Sequence, residues 1–380
     1  MACLPLSPGT DTPSIGRNLP TTPFNDNLVP PQKIQNTYTR LTTTYSPSLI
    51  QNWPEGKTEP SKYIYEDIAI AAFLIELWKG MYDDQSFPGF VDIACGNGVV
   101  VCILLMEGYT GYGIDARRRE AWNCFPGFVR GYLVERVCVP KPFRDVLIWK
   151  DGGGGGEDRL GVTCIDGIFE PGTFIISKHA DELTVWTPLL AALSGMGMSG
   201  EPLPFFVVPC CSCGLSGGSF RYPPPLVSNS VEMLPSLGGE QGQQPSQQPS
   251  SGDLKALRAS RIQAHTNYDS LSHMTSTYGC LAAKVVAVSE ELGIEVEKTK
   301  LEIPSTRNIG IVGGRVRSKG LKAEGGGAEG VLERVRRVVE RECRRDGGVE
   351  AAAEVWVKRA MSLRTGDVSH DGEDGDIHIL

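Results

Sequence analysis

The sequence predicts an α/β domain on a mostly parallel sheet that ends in a hairpin strand, with disordered arms and inserts around it. Three observations predict this. Apolar runs of strand length alternate with segments of helical spacing through the middle of the chain. One run, "FVDIA", enters a Gly96-Asn97-Gly98 turn and then a helix-like stretch, as a parallel strand feeding a crossover does. Finally, "IEVEKTKLEIPSTRNIGIVGG" alternates apolar and polar residues around a turn, the pattern of a hairpin.

In chain order, residues 1–60 are rich in Pro, Thr, Asn and Ser and read as an extended, largely coreless arm. Over residues 62–82, Ile64, Ile68, Ala71, Ala72, Ile75 and Trp78 recur at spacings of three or four and predict a helix with one apolar face. "FPG" ends it, and the strand "FVDIA" follows. A second strand closes on Asp115, and "ARRREAW" opens a helix before an irregular stretch that runs to residue 150. "DGGGGGEDR" is a flexible loop tip. "GVTCIDGIF", "TFIISK" and "PFFVVPC" read as strands, with "ELTVWTPLLAAL" a helix between the last two. Residues 214–252 collapse into Gly, Ser, Pro and Gln and read as a disordered insertion within one domain spanning 61–313. A helix-like segment at about 254–293 precedes the hairpin. Residues 314–380 then read as a Gly-rich hinge, a basic helix at 331–345 and an acidic tail.

Composition excludes several function classes. A formal net charge of −8 gives no global basic field, so any nucleic-acid contact must come from local patches. The longest apolar run, residues 99–106, is too short to cross a bilayer, and "MACLPLSPGT" lacks the charged and apolar regions of a secretory signal. With 11 Cys scattered through apolar runs, the expectation is a reduced, cytoplasmic protein without a membrane. No protein partner is implied.

The glycine turn carries the chemistry. Gly96 and Gly98 let backbone N–H groups approach a ligand closely, but Val101 stands where a dinucleotide fingerprint needs its third Gly. Asp92 lies in the strand just before the turn, where it would disfavour a pyrophosphate and favour a cationic amino-acid moiety. Asp115, at the end of the next strand, suits the hydroxyls of a ribose. Together with Asn97 these residues predict an S-adenosylmethionine site on a class I methyltransferase, Rossmann-like core. Asp166, at the end of a third strand, either meets the adenine amino group or caps a turn.

Acceptor chemistry is expected beyond the carboxyl ends of the neighbouring strands. There "SKHADEL" brings Lys178, His179, Asp181 and Glu182, and "PCCSC" brings Pro209, Cys210 and Cys211. His179, Asp181 and Glu182 are of the types that remove a proton from a weakly acidic acceptor, although Asp181 and Glu182 equally suit a helix N-terminus. Lys178, Pro209, Cys210 and Cys211 would line the substrate. Zinc is not expected, because zinc needs four well-spaced ligands and no second C-x2-C pair or His partner accompanies the cysteines.

The quoted segments, with "KYIYEDIAIAAFLIELW", "HADELTVWTP" and "LEIPSTRNIGIVG", occur in the order seen in the tRNA (uracil-2′-O-)-methyltransferase family. The resemblance covers residues 62–313 apart from the glycine-rich inserts. It implies transfer of a methyl group from S-adenosylmethionine to the ribose 2′-hydroxyl of a uridine at the edge of the variable loop, typically in serine tRNAs. It makes Asp92, Gly96, Gly98 and Asp115 donor-site residues and adds Arg307 as a phosphate contact. Two basic patches would meet RNA: Arg117, Arg118 and Arg119, and Arg334, Arg337, Arg341 and Arg344 on the tail helix. For the tail helix, a solvated face with intrahelical Glu partners is an equal reading. Two alternatives stay open, a methyltransferase for another acceptor and a non-catalytic RNA-binding protein that keeps the donor fold.

Overall fold

A computed structural model describes residues 24, 28–54, 60–82, 87–150, 163–196, 201–224, 276–315 and 328–365. Its elements are α1 (Pro31–Gln51), α2 (Pro60–Met81), β1 (Phe90–Asp92), α3 (Val99–Met106), β2 (Gly111–Asp115), α4 (Gly127–Arg130), β3 (Leu133–Glu135), β4 (Val137–Cys138), α5 (Lys141–Lys150), β5 (Cys164–Ile165), β6 (Phe174–Lys178), α6 (Trp186–Ser194), β7 (Phe205–Val208), α7 (Thr277–Glu291), β8 (Val296–Lys300), β9 (Ile309–Gly313), α8 (Ala328–Cys343) and α9 (Val349–Thr365). Among the described residues, no helix is long and apolar enough to cross a membrane.

Seven strands form one sheet in the order β3-β2-β1-β6-β7-β9-β8. The first five pair in parallel, and the β8–β9 hairpin joins antiparallel to β7. This is the α/β, mostly parallel, hairpin-ended sheet the sequence predicts. From β1 the chain steps outward to β2 and β3, then returns past β1 to β6 and β7. The order therefore reverses between β1 and β6, and the crevice beyond their carboxyl ends is where ligands bind in open α/β sheets.

Strand alternation divides the apolar residues between two layers. Phe90, Phe174, Ile176, Phe206 and Val208 point to the α1–α4 side, while Val91, Ile175, Phe205 and Val207 point to the side covered by α5–α9. On the first side Trp78 of α2 packs against Phe87, Phe90, Tyr109 and Phe174 with ring centroids 4.5–5.7 Å apart. The predicted face of α2, from Ile64 to Trp78, is buried throughout.

Four expectations are corrected. The amino-terminal arm is not coreless, since α1 runs for 21 residues and packs on α2. Ile34, Tyr38, Leu41, Tyr45 and Leu49 form its apolar stripe, and Pro31 at the first helical position lacks only an N–H that would have no partner. Residues 214–224 are packed rather than part of an insertion: Leu215 is fully buried, and its carbonyl accepts from the Trp186 indole at 2.9 Å. The rest of that insertion lies outside the described residues, as do the loop tip at 151–159, the chain before Phe24, the hinge at 316–327 and the acidic terminus.

The segment after residue 313 does not stand apart from the domain. Val331, Val335, Val338 and Val339 of α8, with Ala352, Ala353 and Trp356 of α9, complete the second apolar layer, and the Trp356 indole donates to the Cys138 carbonyl at 2.9 Å. Finally, the stretch after Asp115 contains α4 and β3, elements of four and three residues that are too short to leave a period. "ARRREAW" gives only a 3-10 turn at Glu120–Cys124, and the strand in "GVTCIDGIF" pairs with β4 in a separate two-stranded sheet.

Candidate active site

The expected donor side is the turn after β1. Gly96 and Gly98 have φ of 52° and 79°, in the left-handed region where a Cβ is unfavourable. At Gly98 a Cβ would lie 3.1 Å from Leu133 and Phe125, whereas at Gly96 it would meet nothing within 4 Å, so the turn faces open space. The Trp122 indole fixes the turn by donating to the Gly96 carbonyl at 2.9 Å. Gly96 N–H donates to Asp115 Oδ2 and Arg117 N–H to Asp115 Oδ1, each at 3.0 Å. Asn97 is doubly committed: its Oδ1 accepts from Val99 N–H at 2.9 Å, and its Nδ2 donates to Asp67 Oδ2 at 2.8 Å.

Asp92 is only 1% exposed, and its Oδ1 has no hydrogen-bond partner. An unsatisfied buried acceptor costs about 1–3 kcal/mol. Burial, reinforced by the charges of Asp67 and Asp115, pushes the Asp92 carboxyl up to about 8 against the pull of Lys178. A carboxyl without a donor, beside a glycine turn with space above it, fits the cationic amino-acid end of S-adenosylmethionine. Asp166 follows the small sheet rather than the main one. Its Oδ1 accepts from Ile168 N–H at 3.1 Å, the turn-capping arrangement, and its Oδ2 lies 3.8 Å from Arg144.

The expected acceptor side begins one strand away. Lys178 lies opposite Val208 in the register, so the ends of β6 and β7 bring "KHADE" beside "PCC". Lys178 is ion-paired to Asp67 with only 12% of its side chain exposed. Desolvation pushes its pKa down, but the charges of Asp67 and Glu66 outweigh it and leave the lysine above its ordinary value. His179 has φ 50° and its N–H donates to the Val208 carbonyl at 2.9 Å, which clamps it to the neighbouring strand. Its Nε2 lies 2.7 Å from Glu66 Oε1, and its Nδ1 is buried without a partner.

Asp181 also has a positive φ, 39°, and accepts from the Cys210 thiol at 2.5 Å. Neither acid caps a helix: Asp181 opens a 3-10 turn, the residue before α6 is Val185, and no side-chain cap forms at either place. Glu182 turns to α9, where Arg359 donates to it at 2.5 Å, and burial still leaves its carboxyl above the usual range. Arg307 Nη1 donates to Cys211 Sγ at 3.7 Å. Cys211 is pulled below the ordinary thiol value by the Cys210 thiol beside it, while Cys210 is held well above it. Asp181, Cys210 and Cys211 are the one group among the described residues whose potential ligand atoms lie within 4.8 Å of one another, three where a closed zinc site has four.

Glu66 and Asp67 are the residues that sequence reasoning missed. Asp67 joins Asn97 of the donor turn to Lys178 of the acceptor strand, and Glu66 holds His179. The available signal was an acid pair inside an apolar helix, with Asp67 on the face of Ile64, Ile68 and Ala71. A buried acid on such a face requires a partner.

A family model described as a predicted AdoMet-dependent methyltransferase matches residues 28–140, from α1 through the donor turn to β4. The tRNA (uracil-O(2)-)-methyltransferase of Aspergillus oryzae is 47% identical over 371 residues, covering 90% of this chain and 56% of that protein. That of Neurospora crassa is 39% identical over 76% of this chain and 48% of its own length. That of Saccharomyces cerevisiae is 33% identical over 83% and 54%. The chain thus spans about half the length of the curated relatives it matches.

Proposed function

The chain is a homologue of the fungal tRNA (uracil-O(2)-)-methyltransferases, and from that premise we propose that it transfers a methyl group from S-adenosylmethionine to the ribose 2′-hydroxyl of a uridine in tRNA. The observation that supports this reading is Asp92, whose buried Oδ1 has no hydrogen-bond partner and which lies at the switch point of the sheet. Asp92 would hold the ammonium of the donor, the turn from Gly96 to Gly98 would admit its backbone, and Asp115 would take its ribose hydroxyls. Bound there, S-adenosylmethionine supplies an electrophilic methyl group.

On the acceptor side, Lys178, Pro209, Cys210, Cys211 and Arg307 line the uridine, with Arg307 offered to phosphate. His179 takes the hydroxyl proton as the ribose oxygen gains the methyl group. Positioning supplies much of the rate and the base a further part. Serine tRNA is the expected substrate and the cytoplasm the expected compartment.

The test incubates the chain with labelled S-adenosylmethionine and unmodified serine tRNA, and repeats it with Asp92→Asn. Transfer by the wild type that falls to background in the variant supports the reading. Donor binding by calorimetry without transfer to any tRNA overturns it in favour of an RNA-binding protein that keeps the donor fold.

A further inference from the structure

Three buried side-chain polar atoms without a hydrogen-bond partner occur at the ends of β1 and β6: Asp92 Oδ1, Ser177 Oγ and His179 Nδ1. A hydroxyl can rotate to a new partner, but the other two have fixed directions. Asp92 is accounted for by a cationic ligand, which leaves His179. Its other nitrogen, Nε2, lies 2.7 Å from Glu66 Oε1, and both side chains are close to nine-tenths covered. A carboxylate only accepts, so in the neutral ring the shared proton sits on Nε2 and the lone pair sits on Nδ1. The backbone fixes where the ring sits, because His179, at φ 50°, donates its N–H to the Val208 carbonyl at the end of β7.

We propose that Glu66 is the positioning residue for His179, fixing the tautomer in which Nδ1 carries the free lone pair and so making that nitrogen the proton acceptor for the ribose hydroxyl. The inference rests on the methyl-transfer reading of the same site and adds a residue from α2. In the step itself the ribose oxygen forms a bond to the methyl carbon, the carbon–sulfur bond breaks with its electron pair left on sulfur, and the hydroxyl proton passes to His179 Nδ1. The imidazolium then donates from both nitrogens, with Nε2–H still on Glu66. Asp67, the next residue, anchors the same helix turn to Asn97 and Lys178, so Glu66 is fixed relative to both the donor turn and the acceptor strand. The arrangement is that of a carboxylate orienting a general base.

The experiment has two readouts. In the full chain, with only five histidines, side-chain 15N shifts report the His179 tautomer without substrate, assigned with His179→Gln. An Nε2–H ring with a bare Nδ1 is expected, and an Nδ1–H ring overturns the inference. Steady-state transfer to tRNA is then compared for wild type, Glu66→Gln and Glu66→Ala. A fall in kcat of about 10²-fold is expected for the alanine variant, with partial recovery in glutamine, which can still accept the Nε2 proton. KM for tRNA and the donor Kd should stay within about twofold. An alanine variant with unchanged kcat, or one that loses donor affinity in step with kcat, overturns the proposal, the second by showing a structural role. If the wild type itself transfers nothing, the methyl-transfer reading fails while the nitrogen shifts still decide the tautomer.

Discussion

Burial lifts the Asp92 carboxyl to about 8, whereas in the unfolded chain it ionises near about 4. The stability it contributes is therefore present below about pH 4 and lost as pH rises through about 8. We expect the melting temperature of the wild type to fall more between about pH 5 and about pH 8 than that of Asp92→Asn, measured by scanning calorimetry. An equal fall in both would contradict the assignment. The same protonation has a binding consequence, because a cation placed against Asp92 favours its ionised form. Donor binding near neutral pH should release a proton, seen as a binding enthalpy that varies with the ionisation enthalpy of the buffer. At the adjacent thiols, Cys211 is the exposed and more acidic partner. It should alkylate with iodoacetamide before Cys210, read by peptide mass spectrometry, and Arg307→Ala should slow it. The residues whose placement was legible at this scale are those set by local sequence: Asp92 before the turn, Asp115 at a strand end, His179 after β6. Glu66 and Asp67 were not, because their partners lie 113 and 111 residues away and only the fold brings them together.

Among the elements, α1 shows how composition hides a helix. Its exposed residues are polar, charged or Pro, and two polar residues, Thr37 and Ser46, are among its buried ones. The stripe from Ile34 to Leu49 is nonetheless regular, and Thr37 reaches Glu76 of α2 at 2.6 Å while Arg40 and Tyr45 both reach Glu107. Leu41 is fully buried, so Leu41→Ala should cost about 2–5 kcal/mol in chemical denaturation. A coreless arm would leave the midpoint unmoved. By contrast β1, β6, β7 and the final hairpin were legible, because alternation and an abrupt glycine turn are signals of short range. The edge strand β3, three residues long, offered neither.

At the scale of the whole molecule, the sheet has two apolar covers, and the carboxy-terminal helices belong to the second. The basic residues of α8 drew attention to its exposed side, and two prove to be paired, Arg336 with Glu333 and Arg341 between Glu291 and Glu342. Its valines face the core, and α9 brings Trp356 against Phe143 and Trp186 with centroids 6.1 and 6.2 Å apart. Trp356→Ala should cost about 3–5 kcal/mol, checked by denaturation. If these helices were a detachable tail, the variant would unfold at the wild-type midpoint. Arg359 of α9 also reaches Glu182 at the acceptor edge, so the packing of the tail and the shape of the site are linked.

If the crevice between β1 and β6 serves the proposed methyl transfer, the methyl group ends on a ribose oxygen. The most direct test is to digest the labelled serine tRNA with nucleases that need a free 2′-hydroxyl and to identify the labelled product by mass spectrometry. Label is expected in a nuclease-resistant dinucleotide carrying the methyl group on the ribose of a uridine. Label on a base, or in a nucleoside that the nucleases release freely, would contradict it.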